Sequence, residues 1–296
     1  MRERLCNTFR KVTSEVWNLL ADSQYYGLYK TSPNNVTAGL GFGEETITDT
    51  LLLSIYRKNP LDFYTIKIGK NYESQEGADW EWWIMSASGI IGLRLQAKRI
   101  HYINNVYSYP HLGYRISNSN NLQVDTLITR ANQMGVAPLY ILYNHWDINF
   151  PYKSYLNNES QRLEFSKIHT KKNLSLTIAS APKIKSLVVK NPPQNRLTDV
   201  LPISWPIYSL VCCSFSDISE SVKAFLEKYI FKESDVKIKV YETLPNDIFS
   251  RFEGEDNRFT PLYTTFILDH ENPHKDIAQV IKEMSIRRYI KKVDTT

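Results

Sequence analysis

The chain has 296 residues, 42% of them apolar and 23% charged, which is ordinary for a globular protein of one large domain or two small ones. Its formal net charge of +5 is spread along the sequence and permits a phosphate-bearing partner without requiring one. Three cysteines cannot build a disulfide framework, and no stretch nears the roughly 18 apolar residues that span a bilayer. Without a visible secretory signal, the sequence predicts a soluble protein of the reducing cytoplasm that does not enter membranes.

The first 43 residues are predicted to form a helical segment and a loop. Apolar residues recur at helical spacing over 2–21, and a stretch rich in Gly, Asn and Pro follows over 31–43. A second helix is predicted over 44–57, because acidic residues open it and basic residues close it, as the helix dipole favours.

Two acids, Glu44 and Glu45, stand in the first turn of this second helix. Helical periodicity does not settle which of them faces inward. We choose Glu45, because the stripe of Leu52 and Tyr56 continues its face, and keep Glu44 as the reserve. Acids that simply begin a helix are the alternative interpretation of both.

A strand is predicted over 63–68, and a β-hairpin follows whose strands contain 79–83 and 93–99. If the hairpin turns about Ala87-Ser88, Asp79 lies opposite Gln96 or its neighbour, and Lys98 lies just beyond. Side chains alternate across a strand, so an acid, an amide and a lysine then project together from one face.

Two further charged residues of the hairpin have a structural interpretation beside a functional one. In the same register Glu81 lies nearly opposite Arg94, which predicts an ordinary cross-strand ion pair. Glu81 is therefore kept as a weaker site candidate. Arg94 and Arg99, which flank the amide and the lysine, are candidates for contact with a substrate.

An acid, an amide and a lysine in this pattern have a known chemical use. A carboxylate binds Mg²⁺ through oxygen, and an amide or a backbone carbonyl can fill a further position on the same ion. A lysine can orient a water or stabilise the charge that develops on a phosphate.

In these residues the chain resembles the PD-(D/E)xK nuclease superfamily, the restriction-endonuclease-like fold, over roughly residues 40 to 145. Gln96-Ala97-Lys98 is similar to the Gln-x-Lys motif of its Mrr-like variety, with Asp79 as the preceding acid. The resemblance implies that Asp79, Glu45, Gln96 and the backbone carbonyl of Ala97 hold Mg²⁺ or Mn²⁺. It assigns Lys98 to the attacking water or the transition-state charge.

The elements that follow agree with this superfamily. Residues 100–113 are irregular and contain His101 and His111, which are interpreted as solvated loop histidines. A helix over 122–134 and an apolar strand over 137–144 complete an αβββαβ order, which is an α/β fold with a mixed sheet. Gln123, near the start of that helix, is a further candidate for the site.

The chain is divided into an N-terminal segment (1–43), a nuclease-like core (44–150) and a C-terminal α+β region (151–296). In the last region helices are predicted over 157–172, 218–231 and 274–291, and extended segments over 174–179, 186–189, 206–214 and 236–241. Whether this region is a separate domain or packs on the same core is left open. Its cluster at 269–274 contains His, Asp and Glu, but consecutive ligands rarely converge on one ion.

The predicted function is a Mg²⁺-dependent nuclease acting on DNA rather than RNA. Family analogy places it in bacterial restriction or anti-phage defence, as a homodimer or with a partner protein of a defence system. One alternative is a catalytically inactive protein of the same fold that binds nucleic acid or a protein. A third class, a carbohydrate-active enzyme, is suggested by Trp80, Trp82, Trp83 and the nearby acids.

Overall fold

The fold is α/β, as predicted, and is built on a mixed seven-stranded sheet. The computed structural model describes residues 2–27, 42–67, 77–116, 121–147, 149–156, 171–212, 217–252 and 263–268, with Gln279 and Ile281. The strands are β1 (Phe63–Lys67), β2 (Trp80–Ser86), β3 (Gly89–Arg99), β4 (His101–Ile103), β5 (Val106–Ser108), β6 (Ala137–Tyr143), β7 (Leu176–Ser180), β8 (Trp205–Pro206) and β9 (Tyr263–Leu268). The helices are α1 (Arg2–Gly27), α2 (Glu44–Lys58), α3 (Gln123–Met134), α4 (Ala181–Val188), α5 (Leu197–Val200), α6 (Ile218–Phe225) and α7 (Asn246–Phe252).

The sheet has the strand order β1-β9-β2-β3-β6-β7-β8, and β4 pairs with β5 in a separate hairpin. Strands β2 and β3 are antiparallel, whereas β3 runs parallel to β6 and β2 runs parallel to β9. The remaining neighbours are antiparallel. The central strands are buried along their whole length because helices cover both faces of the sheet, which explains their continuously apolar sequences.

The register of the central hairpin is the predicted one. Ser86 pairs with Gly89, so Ala87-Ser88 forms the two-residue turn, and Glu81 pairs with Arg94. Trp80, Trp82 and the other apolar side chains on one face pack beneath α1 and α2. The opposite face carries Trp83 and packs against α3.

The C-terminal region joins the same sheet as the preceding core. Strands β7 and β8 extend one side of the sheet, and β9 lies between β1 and β2. The sequence reading did not predict β9, whose side chains are all buried. Its six residues follow a long polar stretch and carry no turn signal of their own.

Three predicted extended segments are wrong. Residues 186–189 were expected to be extended but belong largely to α4, because the Ser180 hydroxyl accepts a hydrogen bond from the Lys183 amide and caps the helix. Of the next predicted segment, 206–214, only Pro206 belongs to a strand, β8, and a 3₁₀ turn over Ile207–Leu210 follows. Residues 236–241 form no strand. The Val236 amide donates to the Ser234 hydroxyl, the Lys239 amide donates to the Gly135 carbonyl, and Tyr241 forms an isolated bridge with Ile90.

Other predicted elements are confirmed or cannot be compared. The helices over 2–21, 44–57, 122–134 and 218–231 are present, the last with a π-helical end. The loop over 31–43, the helices over 157–172 and 274–291 and the cluster at 269–274 lie wholly or mostly outside the described residues.

Two further findings bear on the composition. Cys6 and Cys212 are joined by a disulfide, a pairing between residues 206 positions apart that only the fold brings together. The sequence excluded a disulfide framework but did not predict this single pair. In the part of the chain that the structure describes, no helix combines the length and apolar character needed to cross a membrane.

Glu81 and Arg94 form an ion pair inside the sheet. Their side chains are 0% and 1% exposed, and Arg94 Nε lies 3.8 Å from Glu81 Oε2. Glu81 Oε1 also accepts a hydrogen bond of 2.7 Å from Trp83 Nε1. The two charges thus stabilise each other in the protein interior, away from any open surface.

We predict that Glu81→Gln lowers the free energy of unfolding by about 3–5 kcal/mol, because it leaves the buried Arg94 cation without its carboxylate. Urea denaturation measures the change. The double variant Glu81→Gln/Arg94→Met is the control and should be more stable than the single variant, since both charges are removed. Equal stability of Glu81→Gln and the unmodified chain would contradict the buried pair.

Candidate functional site

The site lies where β3 extends beyond the strand beside it. Strand β2 begins at Trp80, opposite Leu95, whereas on its other side β3 stays paired with β6 as far as Arg99 opposite Tyr143. Residues 96–99 of β3 therefore have no β2 partner. Backbone N–H groups along this edge need other acceptors, because an unpaired buried donor is costly.

Asp79 supplies the first of these acceptors. Its Oδ2 accepts hydrogen bonds from the backbone N–H of Ala97, at 2.7 Å, and from Nε2 of Gln96. The chain reaches Asp79 through Gly77, whose φ is +66° and which contacts the backbone of α3 so closely that a Cβ would lie 2.8 Å from Leu127 N. Glycine at this position allows Asp79 to lie beside β3.

Glu44 supplies the second acceptor. Its Oε1 accepts a hydrogen bond of 3.2 Å from the backbone N–H of Arg99, and its Oε2 lies 3.9 Å from Nζ of Lys98. One helical turn further on, Thr48 is buried, and its hydroxyl lies 2.6 Å from that of Tyr143. Glu44 therefore lies on the inward face of α2.

The preference for Glu45 over Glu44 rested on a stripe that the structure does not form. Tyr56, which was expected to continue the face of Glu45 inward, is 48% exposed. Glu45 instead borders a second cavity of about 380 Å³, which Asp79, Glu44 and Tyr263 also line. Both acids thus lie beside Asp79, but Glu44 is the one that contacts the backbone of β3 and Lys98.

Gln96 and Lys98 are buried although they belong to the polar edge of the cavity. Gln96 is 1% exposed; its Nε2 donates to Asp79, and its Oε1 is buried with no hydrogen-bond partner among the described residues. Lys98 is 6% exposed and has Glu44 as its ion-pair partner. The Ala97 carbonyl, 3.3 Å from Gln96 Nε2, lies at the same edge.

These side chains line an open cavity of about 570 Å³. Its lining includes Glu44, Asp79, Gln96 and Lys98. Arg99, His101, His111, Tyr114 and Gln123 line it as well. The structure thus brings together the predicted Asp79, Gln96, Lys98, Arg99 and Gln123.

Two predicted residues are not brought to this cavity. Arg94 was expected to contact a substrate and Glu81 was a weaker site candidate, but they pair with each other in the interior. They project from the same strands as the site residues but lie deeper in the sheet, where β2 and β3 are fully paired. Trp80, Trp82 and Trp83 are also fully buried, so none of them offers a stacking face to a sugar.

Other lining residues were missed or set aside by sequence reasoning. His101 and His111 were interpreted as solvated, and Tyr114 was not considered, since the irregular stretch that contains them offers no periodic signal. Burial lowers the pKa of the Arg99 guanidinium. Burial, together with the charges of Arg99 and His111, lowers the pKa of His101, so this ring tends to be neutral.

Comparison with known proteins identifies a family. A family of unknown function (DUF6615) matches residues 5–290, which is nearly the whole chain, and the protein belongs to that family. No curated protein matches the chain.

We predict that Glu44→Ala lowers the free energy of unfolding by about 1–3 kcal/mol, because the Arg99 amide and the nearly buried Lys98 lose their acceptor. Thermal or urea unfolding measures the loss. Glu45→Ala is the matched control, since both acids stand in the first turn of α2, and its effect should stay within about 0.5 kcal/mol. Equal losses in the two variants would contradict the assignment of Glu44 as the acceptor for Arg99 and Lys98.

Proposed function

We propose that this protein is a Mg²⁺-dependent nuclease that hydrolyses phosphodiester bonds, in DNA rather than RNA. The observation that carries the proposal is the convergence of Asp79, Gln96, Lys98 and Glu44 on one open cavity at the unpaired edge of β3. An acid, an amide and a lysine in this arrangement suit phosphoryl chemistry better than acyl or glycosyl transfer.

The chain order of the elements also supports the proposal. Helix α2, strands β1 to β3, helix α3 and strand β6 occur in the αβββαβ order that the resemblance implies, with the small hairpin β4–β5 inserted between β3 and α3. By that resemblance, Asp79 and Gln96-Ala97-Lys98 would be the motif residues. Strand β9, between β1 and β2, and strands β7 and β8 are additions to that order.

The residues present fit a hard divalent cation. Mg²⁺ takes oxygen ligands and is usually held by one or two carboxylates together with waters. Four groups offer such oxygens. They are the Asp79 carboxylate, Oε1 of Gln96, which has no hydrogen-bond partner among the described residues, the Ala97 carbonyl, and the carboxylate of Glu44 or Glu45. Among the described residues, no group of three or more His, Cys, Asp or Glu side chains is arranged to hold a metal ion.

The roles of the protein side chains follow from their positions. Mg²⁺ bound there would supply positive charge to the phosphate and lower the pKa of an attacking water. Asp79 and Gln96 would hold the ion, with Gln96 oriented by its hydrogen bond to Asp79. Lys98 lies next to them, and its ammonium would stabilise the charge that develops on the phosphate, with Glu44 holding the ammonium in place. Arg99 would bind a neighbouring phosphate.

A catalytically inactive protein that binds nucleic acid or a protein partner is the second candidate. It is favoured by Gln96, an amide where most of the superfamily has a second acid. Action in bacterial restriction or anti-phage defence, as a homodimer or with a partner protein, is part of the same proposal by family analogy.

We predict metal-dependent cleavage of plasmid or linear DNA that falls by about 100-fold or more in Asp79→Asn and in Lys98→Met, as expected when electrostatic stabilisation is removed. Gel assays with Mg²⁺ or Mn²⁺ on duplex DNA, single-stranded DNA and RNA measure the rates. Lys223→Met is the control, because Lys223 is exposed on α6 and pairs only with Glu227 among described residues. Cleavage that survives both site substitutions would overturn the assignment, and binding of DNA without cleavage would favour the inactive protein.

We predict opposite effects of Gln96→Glu on the protein with and without metal. Without metal the new carboxylate repels Asp79, so the melting temperature should fall. With Mn²⁺ the site gains a charged ligand, so the metal-induced rise in melting temperature should exceed that of the unmodified chain. Differential scanning fluorimetry and calorimetric titration measure both. Asp79→Asn should abolish the metal-induced rise, and a rise that persists in Asp79→Asn would place the metal elsewhere.

A further inference from the structure

Part of the cavity lining is not used by the proposed chemistry. It consists of His101, the first residue of β4, with His111 and Tyr114 from the segment after β5. His101, His111 and Tyr114 are together called the histidine wall. Arg99 adjoins them at the end of β3.

The backbone that carries the histidine wall is anchored at several points. Strands β4 and β5 form a hairpin whose turn, Asn104-Asn105, has positive φ at both residues, as a tight two-residue turn requires. Tyr109, which follows β5, is buried and hydrogen-bonded to Asn144. Backbone hydrogen bonds within the turn of 109–114 then hold the segment of His111. Hydrogen bonds therefore hold the segments that carry the two imidazoles in place.

The two imidazole rings are close enough to bind one small group together. Their centroids lie 6.2 Å apart and the ring planes meet at 81°. Two hydrogen bonds of about 2.8 Å, made to different oxygens of one tetrahedral anion, span a comparable distance. No hydrogen bond to a described residue occupies the nitrogens of either ring.

The charges around the histidine wall favour an anion. Arg99 adds a positive charge beside the histidine wall. The two nearby carboxylates already have partners: Glu44 pairs with Lys98, and Asp79 accepts hydrogen bonds from Gln96 and Ala97. The pKa of His101 is lowered by burial and by the charges of Arg99 and His111. An anion between these groups would offset that repulsion and make protonation of the ring easier.

We propose that His101 and His111, with Tyr114 and the guanidinium of Arg99, form a phosphate-binding subsite distinct from the residues that would hold the metal. Imidazole, phenol and guanidinium groups all donate hydrogen bonds, which a phosphate accepts at its oxygens. If the proposed nuclease function holds, on which this second step rests, the phosphate is the one next to the scissile bond of the bound strand. His101 and His111 are then substrate-positioning residues.

The test observes the imidazoles directly in the full chain. The protein, with ¹⁵N-labelled histidine, is titrated with inorganic phosphate and with thymidine 3′,5′-bisphosphate in EDTA. We expect the resonances of His101 and His111, assigned through His101→Gln and His111→Gln, to shift and saturate. His145, whose ring packs against Trp17, is the internal control and should not respond. The bisphosphate should bind more tightly than free phosphate if the subsite belongs to a nucleic-acid groove.

Binding strength provides the second readout. The double variant His101→Gln/His111→Gln should bind the bisphosphate about tenfold more weakly or worse, as expected for loss of charge-assisted hydrogen bonds. Lys223→Met should bind it as the unmodified chain does, since Lys223 is exposed on α6 and does not line the cavity. On DNA the double variant should raise KM more than it lowers kcat.

The outcomes separate this proposal from the nuclease proposal. Saturating shifts at both histidines without any cleavage would retain the subsite and remove the nuclease. In another outcome, cleavage depends on Asp79 and Lys98 while the histidine resonances do not shift and the KM of the double variant is unchanged. That result would overturn the subsite and support the nuclease. Silent histidines in a chain that neither binds nor cleaves nucleic acid would overturn both.

Discussion

The candidate site depends on one constraint, the unequal length of two neighbouring strands. Strand β3 continues to Arg99 along β6, but β2 starts only opposite Leu95, so the N–H groups of Ala97 and Arg99 face an edge without a strand. Asp79 accepts the first of these hydrogen bonds and Glu44 the second. Two carboxylates are therefore fixed beside each other by the backbone, before any ligand is present.

Depth in the sheet separates structural charges from those that can act on a ligand. Arg94, Gln96 and Lys98 alternate along one face of β3, and all three are buried. Arg94 lies where β2 is paired and is satisfied there by Glu81. Gln96 and Lys98 lie past the end of β2, where the same face opens into a cavity. The same residue types thus serve stability at one position and are available for chemistry two to four residues further along.

The region after residue 150 contributes to the site through the sheet. Strand β9 lies against β2, and the backbone N–H of its first residue, Tyr263, donates to the backbone carbonyl of Asp79. The Tyr263 hydroxyl donates to Asp49 on α2, at 2.6 Å. Helix α2, Asp79 and the C-terminal strand therefore support one another, and the core and the later region share one sheet. Replacement of Tyr263 would therefore change the surroundings of Asp79, the acid on which the site depends.

The local order of the chain was readable from its sequence. The hairpin register followed from a two-residue turn and a period of two, so the approach of Asp79 to Gln96 and the pairing of Glu81 with Arg94 were both predictable. Only the tertiary structure decided that Glu44 rather than Glu45 contacts β3, because the packing of Thr48 against Tyr143 sets the rotation of α2. It also decided the place of β9 between β1 and β2 and the approach of His101 to His111. These are contacts between distant or irregular segments, for which local periodicity carries no signal.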